Sequence, residues 1–131
     1  MKLLLDTHIW IWSVLEPHRL SARVARELTN PENQLWLSSV SVWELLLLHR
    51  KRRIALDEGV EPWVRKTLDT LQLNEAPLTI DVALELSAVN LPHGDPADHF
   101  LVAAARVFGL TLVTADSVLL QEASVSTLAN K

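Results

Sequence analysis

Short strand-like apolar runs, each followed by helical pattern, constrain this chain more than any other feature. They fall at Lys2 to Leu5, Gln34 to Ser38 and Leu110 to Thr114, the last alternating Leu and Thr before Val113. Helix signals fill the intervals. Ser21 can cap residues 22–29, Pro62 suits the first turn of a helix reaching about Leu71, and Thr79 or Asp81 can open another that runs to Val89. Asp95-Pro96 reads as an N-cap followed by proline at the first helical position, leading through Phe100 to Phe108 and stopping at Gly109. Strands alternating with helices predict an α/β fold with a central, mostly parallel sheet, because right-handed crossovers return each strand in the same direction. The carboxyl ends of the strands then share one edge.

A length of 131 residues suits a single domain spanning 1–131, and neither a repeat nor a low-complexity linker divides it. The loops expected at Glu16 to Leu20, Asn30 to Asn33 and Asn90 to Gly94 are short and carry proline or glycine. Hydrophobic residues make up 49% and charged residues 21%, the balance of a globular protein, and no apolar stretch reaches the ~20 residues of a membrane helix. The opening apolar segment is broken at once by Asp6 and His8 and lacks a small-residue cleavage pattern, so a cytoplasmic location is expected. With no cysteine, disulfides, thiolate zinc sites and a cysteine nucleophile are excluded, and any metal must sit on oxygen or imidazole. A net charge of −4 argues against nonspecific coating of nucleic acid but says little about a local patch.

The acids carry the chemistry. Asp6 ends the first strand, Glu44 lies in Ser41-Val42-Trp43-Glu44 just after the second, Asp95 and Asp98 open the Pro96 helix, and Asp116 follows LTLVT. Singly, each has a structural explanation. Asp6, Asp95 and Asp116 can be caps, Ser41 and Glu44 can form a capping box, and Asp98 sits in a first turn that favours negative charge. What capping does not require is convergence at the carboxyl edge of the sheet, where open α/β folds place their ligand crevice. Two carboxylates ~5 Å apart at an effective dielectric of ~20 repel by roughly 3 kcal/mol, while a helix terminus returns only ~0.3–1 kcal/mol to each. Either some acids are protonated or a cation is bound, and a cation is the preferred reading. All-oxygen ligands point to Mg²⁺ or Mn²⁺ rather than zinc, and to phosphodiester hydrolysis by a metal-activated water. Two such ions would bring the formal charge from −4 to about zero, so an acidic chain and a polyanionic substrate are compatible.

With LLLDTHIWIW, LSARVAREL, LSSVSVWELLL, HGDPADHFLVAAA and GLTLVTAD in this order, the chain resembles the PIN-domain ribonucleases, in particular the VapC toxins of type II toxin–antitoxin pairs. The resemblance covers nearly the whole chain and implies a PIN-like three-layer α/β/α sandwich. It implies Asp6 and Asp98 as principal metal ligands, Glu44 and Asp116 completing the acidic site, and Asp95 mainly as a helix cap with an outer-shell role. It further implies Mg²⁺- or Mn²⁺-dependent cleavage of RNA, a homodimer, and inhibition by a cognate VapB antitoxin. The chain departs from the family at His99, where arginine often follows the motif acid, and at Leu48, where lysine is usual.

Other features admit two readings each. The run His49-Arg50-Lys51-Arg52-Arg53 can hold RNA phosphates, or can be a solvated helix end whose charges suit the dipole. Trp10, Trp12, Trp36, Trp43 and Trp63 can stack on bases, but core packing is the favoured role, with Trp10 or Trp12 left for a protein contact because both cannot face one way. The pairs Asp6/His8 and His93/Asp95 do not make a zinc site, since no His-x-x-x-His pair exists. A phosphoacceptor domain would want paired acids after the first strand and a lysine beyond the last, where this chain has LVTAD. A catalytically silent PIN-like module binding RNA or protein is the remaining alternative, and the intact acids argue against it.

Overall fold

The computed structural model describes residues 1–92 and 95–131, so His93 and Gly94, with that part of the Asn90 to Gly94 loop and the His93/Asp95 pair, lie outside the described residues. Five strands, β1 (Lys2–Leu5), β2 (Gln34–Ser38), β3 (Asn74–Ala76), β4 (Thr111–Thr114) and β5 (Thr127–Ala129), form one sheet in the order β3-β2-β1-β4-β5. Every pairing is parallel. The helices α1 (Thr7–Leu15), α2 (Ala22–Thr29), α3 (Ser39–Arg50), α4 (Val60–Thr70), α5 (Ile80–Glu85), α6 (Pro96–Phe108) and α7 (Ser117–Leu120) complete the crossovers, with 3₁₀ turns at Pro17–Arg19 and Leu86–Ala88.

Strand alternation divides the core into two layers. Leu3, Leu5, Leu35, Leu37 and Val113 face one side with Ile9 and Trp10 of α1, Val24 of α2, Leu45 of α3 and Trp63 of α4. Leu4 and Leu112 face the other side with Val82 of α5, Leu101 to Ala105 of α6 and Leu119 of α7. A sheet covered on both faces explains why Leu3, Leu4 and Leu5 run without interruption. The result is the expected three-layer sandwich. Among the described residues no helix is long and apolar enough to cross a membrane.

Most of the expected helix starts are found. Asp6, Ser21, Thr79, Asp95 and Asp116 each accept a hydrogen bond from an amide of the following turn, so Thr79 rather than Asp81 caps α5. Gly109 closes α6 at φ 66°, a left-handed conformation that costs glycine no Cβ clash. Two expectations are corrected. The helix expected to reach Val89 ends at Glu85 and tightens into the 3₁₀ turn Leu86–Ala88. The Ser41–Glu44 capping box is absent: Ser38 caps α3 through Val40, three residues earlier, because β2 passes into the helix without a loop. Ser41 is instead buried within α3 and hydrogen-bonded to Thr7, with 2.8 Å between the hydroxyls.

Trp10 and Trp63 take the core role, their ring centroids 5.3 Å apart. Trp10 Nε1 donates to Thr67 Oγ1 at 3.1 Å, and Thr67 in turn donates to the Val64 carbonyl at 3.0 Å. Both side chains are buried, so the indole N–H has no water to fall back on. Replacing Thr67 by Val keeps the shape and deletes the acceptor; chemical denaturation of Thr67→Val should show a loss of about 1–3 kcal/mol with an unchanged m value.

Candidate functional site: an acidic cavity at the switch point of the sheet

The chain leaves β1 in one direction and β4 in the other, so the crevice beyond their carboxyl ends is the topological switch point of the sheet. Asp6 sits directly after β1 and Asp116 two residues after β4. Thr114, the last residue of β4 and fully buried, joins them: its hydroxyl donates to Asp6 Oδ2 at 2.6 Å and accepts from the Asp116 amide at 3.0 Å. Asp6 Oδ1 accepts from the His8 amide at 3.2 Å, and Asp116 Oδ1 accepts from the amides of Val118 and Leu119 at 2.8 and 3.3 Å. Cap and crevice are therefore one arrangement rather than rival explanations.

Glu44 arrives from α3, where the Thr7–Ser41 hydroxyl pair ties that helix to α1. Asp95 caps α6 through the Ala97 amide at 3.1 Å, and Asp98 sits in the first turn of the same helix. Asp6, Glu44, Asp95, Asp98 and Asp116 together with His8, Trp12 and Ala115 line one cavity of about 300 Å³. All five acids singled out in the sequence thus face a common space, and among the described residues neither Lys nor Arg lines it.

Burial sets the charge state. Asp6 and Asp98 are only 8% exposed. Burial pushes the Asp98 carboxyl up to about 7, and the neighbouring Asp95, Asp6, Asp116 and Glu44 charges add to the effect. Asp6 is also raised, chiefly by burial, against the opposing hydrogen bonds from Thr114 and the His8 amide. Glu44 is raised by burial and by Asp95 and Asp6, with a hydrogen bond from the Thr7 hydroxyl acting the other way. Among the described residues no group of three or more His, Asp or Glu side chains is drawn together as a ready-made metal centre. The donor set nonetheless suits a hard cation: five carboxylates line one cavity, and burial drives three of them toward the neutral form.

Other residues fall outside the cavity. Arg50, Lys51, Arg52 and Arg53 are exposed at the far end of α3, where Arg52 takes φ 58° and the amides of Arg52 and Arg53 bond back to His49 and Leu48 at 3.0 and 2.9 Å. They form the helix terminus that the dipole favours. His8, by contrast, lines the cavity while remaining exposed, and Trp43, one residue before Glu44, is 49% exposed. Thr114 was not among the candidates drawn from the sequence. The only hint was its place at the end of the strand that leads into Asp116, and its partner lies 108 positions away.

Residues 3–124 match the PIN domain family. The chain belongs to the PIN-domain family. Ribonuclease VapC22 of Mycobacterium tuberculosis is 34% identical over 118 residues, which cover 86% of this chain and 85% of that protein. Among solved structures, a chain of VapBC2 from Rickettsia felis, bound to a DNA fragment from its promoter, superposes with a TM-score of 0.73 at 18% identity and covers 98% of both chains. A chain of DNA-bound VapBC from Salmonella typhimurium gives a TM-score of 0.69 at 19% identity, again covering 98% of both. These two likenesses are of fold, and the α/β/α sandwich of this PIN domain agrees with them.

The raised Asp98 carboxyl has a consequence for the metal-free protein. Between its unfolded value near 3.9 and its folded value of about 7, the folded chain holds a proton that the unfolded chain has released. This group's contribution to stability is full below pH ~4 and is lost as pH rises through about 7. Asp98→Asn should therefore melt above the unsubstituted protein at pH 8 in EDTA, by a margin on the order of a few kcal/mol that shrinks toward pH 5, as thermal melts across that range will show.

Proposed function

We propose that this chain is a metal-dependent endoribonuclease, the toxin of a VapBC-type toxin–antitoxin pair. The observation that carries the reading is the gathering of five carboxylates around one cavity at the β1/β4 switch point, in a PIN domain 34% identical to a protein named Ribonuclease VapC22. Asp6 and Asp98 would be the principal ligands of Mg²⁺ or Mn²⁺, with Glu44 and Asp116 serving a second ion or the attacking water and Asp95 an outer-shell role. Bound there, the ion supplies a nucleophile from water at neutral pH and offsets charge on the phosphate.

The protein's own part is to hold the acids in place. Thr114 fixes one oxygen of Asp6, and the amides of α7 fix one oxygen of Asp116 while leaving the other outside the cap. Thr7 and Ser41 lock α1 to α3 beside Glu44. A cavity lined by five carboxylates repels a phosphodiester, so substrate binding and cation binding are coupled. Arg50, Lys51, Arg52 and Arg53 would meet RNA only beyond the cleavage site, since about 9 Å of helix separates Arg50 from Glu44.

RNA is the proposed substrate, after the relative named Ribonuclease VapC22, and a VapB-type antitoxin the proposed inhibitor, after the VapBC assemblies among the fold neighbours. The exposed apolar side chains of Trp43, Leu78, Ile80 and Leu84 supply surface for protein contacts, including a second copy of the chain. The whole chain acts as one domain in the cytoplasm.

Asp98→Asn tests the site. Outer-shell partners of a metal are themselves worth ~10–100-fold, so loss of a principal ligand should lower Mg²⁺-dependent RNA cleavage by more than that, with the far-UV spectrum unchanged. Full activity in the variant, or in the presence of EDTA, would refute the assignment.

A further inference from the structure

The acidic cavity poses a problem for a polyanionic substrate, because a bound dication addresses the scissile phosphate but not its neighbours. Among the described residues none that lines the cavity is Lys or Arg, and the basic run at residues 49–53 lies at the other end of α3. One guanidinium is nevertheless built against the cavity wall. Trp12 lines the cavity, and Arg19 Cζ lies 4.2 Å from the centroid of the Trp12 ring, within the range of a cation–π contact. The His8 ring, also part of the lining, stands 5.8 Å from the same indole. Arg19 is thus one aromatic ring away from the carboxylates.

We propose that Arg19, held over Trp12, binds a backbone phosphate of the RNA next to the one that is cleaved, an inference that rests on the ribonuclease reading above. Its segment is unusually well tied for a surface turn. The Arg19 amide donates to the Glu16 carbonyl at 2.9 Å, and its carbonyl accepts from Asn130 Nδ2 at 3.0 Å. Asn130 Oδ1 accepts from the Ser21 amide at 2.7 Å, and the Asn130 amide donates to the carbonyl of Thr114 at 2.9 Å. The turn is therefore pinned to the same residue that positions Asp6. The guanidinium meets Glu16 through Nη1 at 3.3 Å, and the side chain is 48% exposed, which leaves donors of its fork for a phosphate. Stacking on the indole restricts the side chain before RNA arrives, so less rotamer freedom is lost on binding. Trp12 is the positioning residue of this pair.

The test uses a single-stranded RNA that the protein cleaves with Mg²⁺. Arg19→Gln should raise KM about five- to tenfold with kcat within twofold, whereas Arg23→Gln, which removes the same charge from an exposed position of α2, should leave KM unchanged. In RNA binding by Asp98→Asn protein, adding Arg19→Gln should reduce the slope of log affinity against log salt by about 0.7, the value for one phosphate contact on a single strand. Trp12→Leu should move KM in the same direction, and Arg19→Lys should restore part of it. Unchanged KM and salt slope in Arg19→Gln while the unsubstituted protein cleaves RNA would overturn the role of Arg19 and leave the ribonuclease reading standing. A lower melting temperature with unchanged KM would overturn it too, reducing the contact to a clamp on Trp12. If the unsubstituted protein cleaves no RNA with Mg²⁺ or Mn²⁺, both readings fall.

Discussion

The hydrogen bond from Thr114 Oγ1 to Asp6 Oδ2, 2.6 Å long and fully inside the protein, is the interaction on which the site depends. It joins the ends of the two paired strands from which the chain departs in opposite directions, and the same hydroxyl receives the amide of Asp116. A buried aspartate needs such a donor, since burial alone raises the cost of its charge. The bond therefore does two things at once: it makes an ionisable group tolerable behind β1, and it sets the spacing between two acids that come from opposite ends of the chain.

Around that bond the protein holds together a group of charges that work against each other. Asp98 is raised to about 7 chiefly by burial, and every other carboxylate at the cavity adds to that effect. Helix caps and first-turn amides recover part of the energy for Asp6, Asp95 and Asp116, but each such contact is worth far less than the repulsion between close carboxylates. The rest of the fold has to carry the difference, and it does so through two apolar layers that sandwich a fully parallel sheet. Stability is given up locally where cation binding is proposed, a familiar relation between strained sites and function.

The arrangement of positive charge follows from the same geometry. A helix that starts at the carboxyl edge of the sheet presents its N-terminus to the cavity and its C-terminus away from it, so the basic run after Leu48 is carried to the far side. Arg19 instead lies on Trp12, a residue of the cavity lining, in a turn between α1 and α2 that Asn130 holds.

Local signals made much of this molecule legible from its residues alone. Apolar runs, caps and the Gly109 stop act within one or two turns, so they marked β1, β2, the region of β4 and the starts of α1, α2, α5, α6 and α7. β3 and β5 escaped notice, because each is three residues long, lies at a sheet edge and carries polar residues. Ser41 misled for a related reason: a serine three residues before a glutamate satisfies a local pattern, but continuity of β2 with α3 moved the cap to Ser38. What the sequence by itself determined was the alternation of elements and the placing of each acid behind its strand. Only tertiary structure decided that Thr114 would face Asp6, that Arg19 would lie on Trp12 and that Asp98 would titrate near 7. Hydrogen bonds between residues 108 positions apart, ring contacts and the repulsion among acids from separate elements depend on distances that exist only once the sheet has formed.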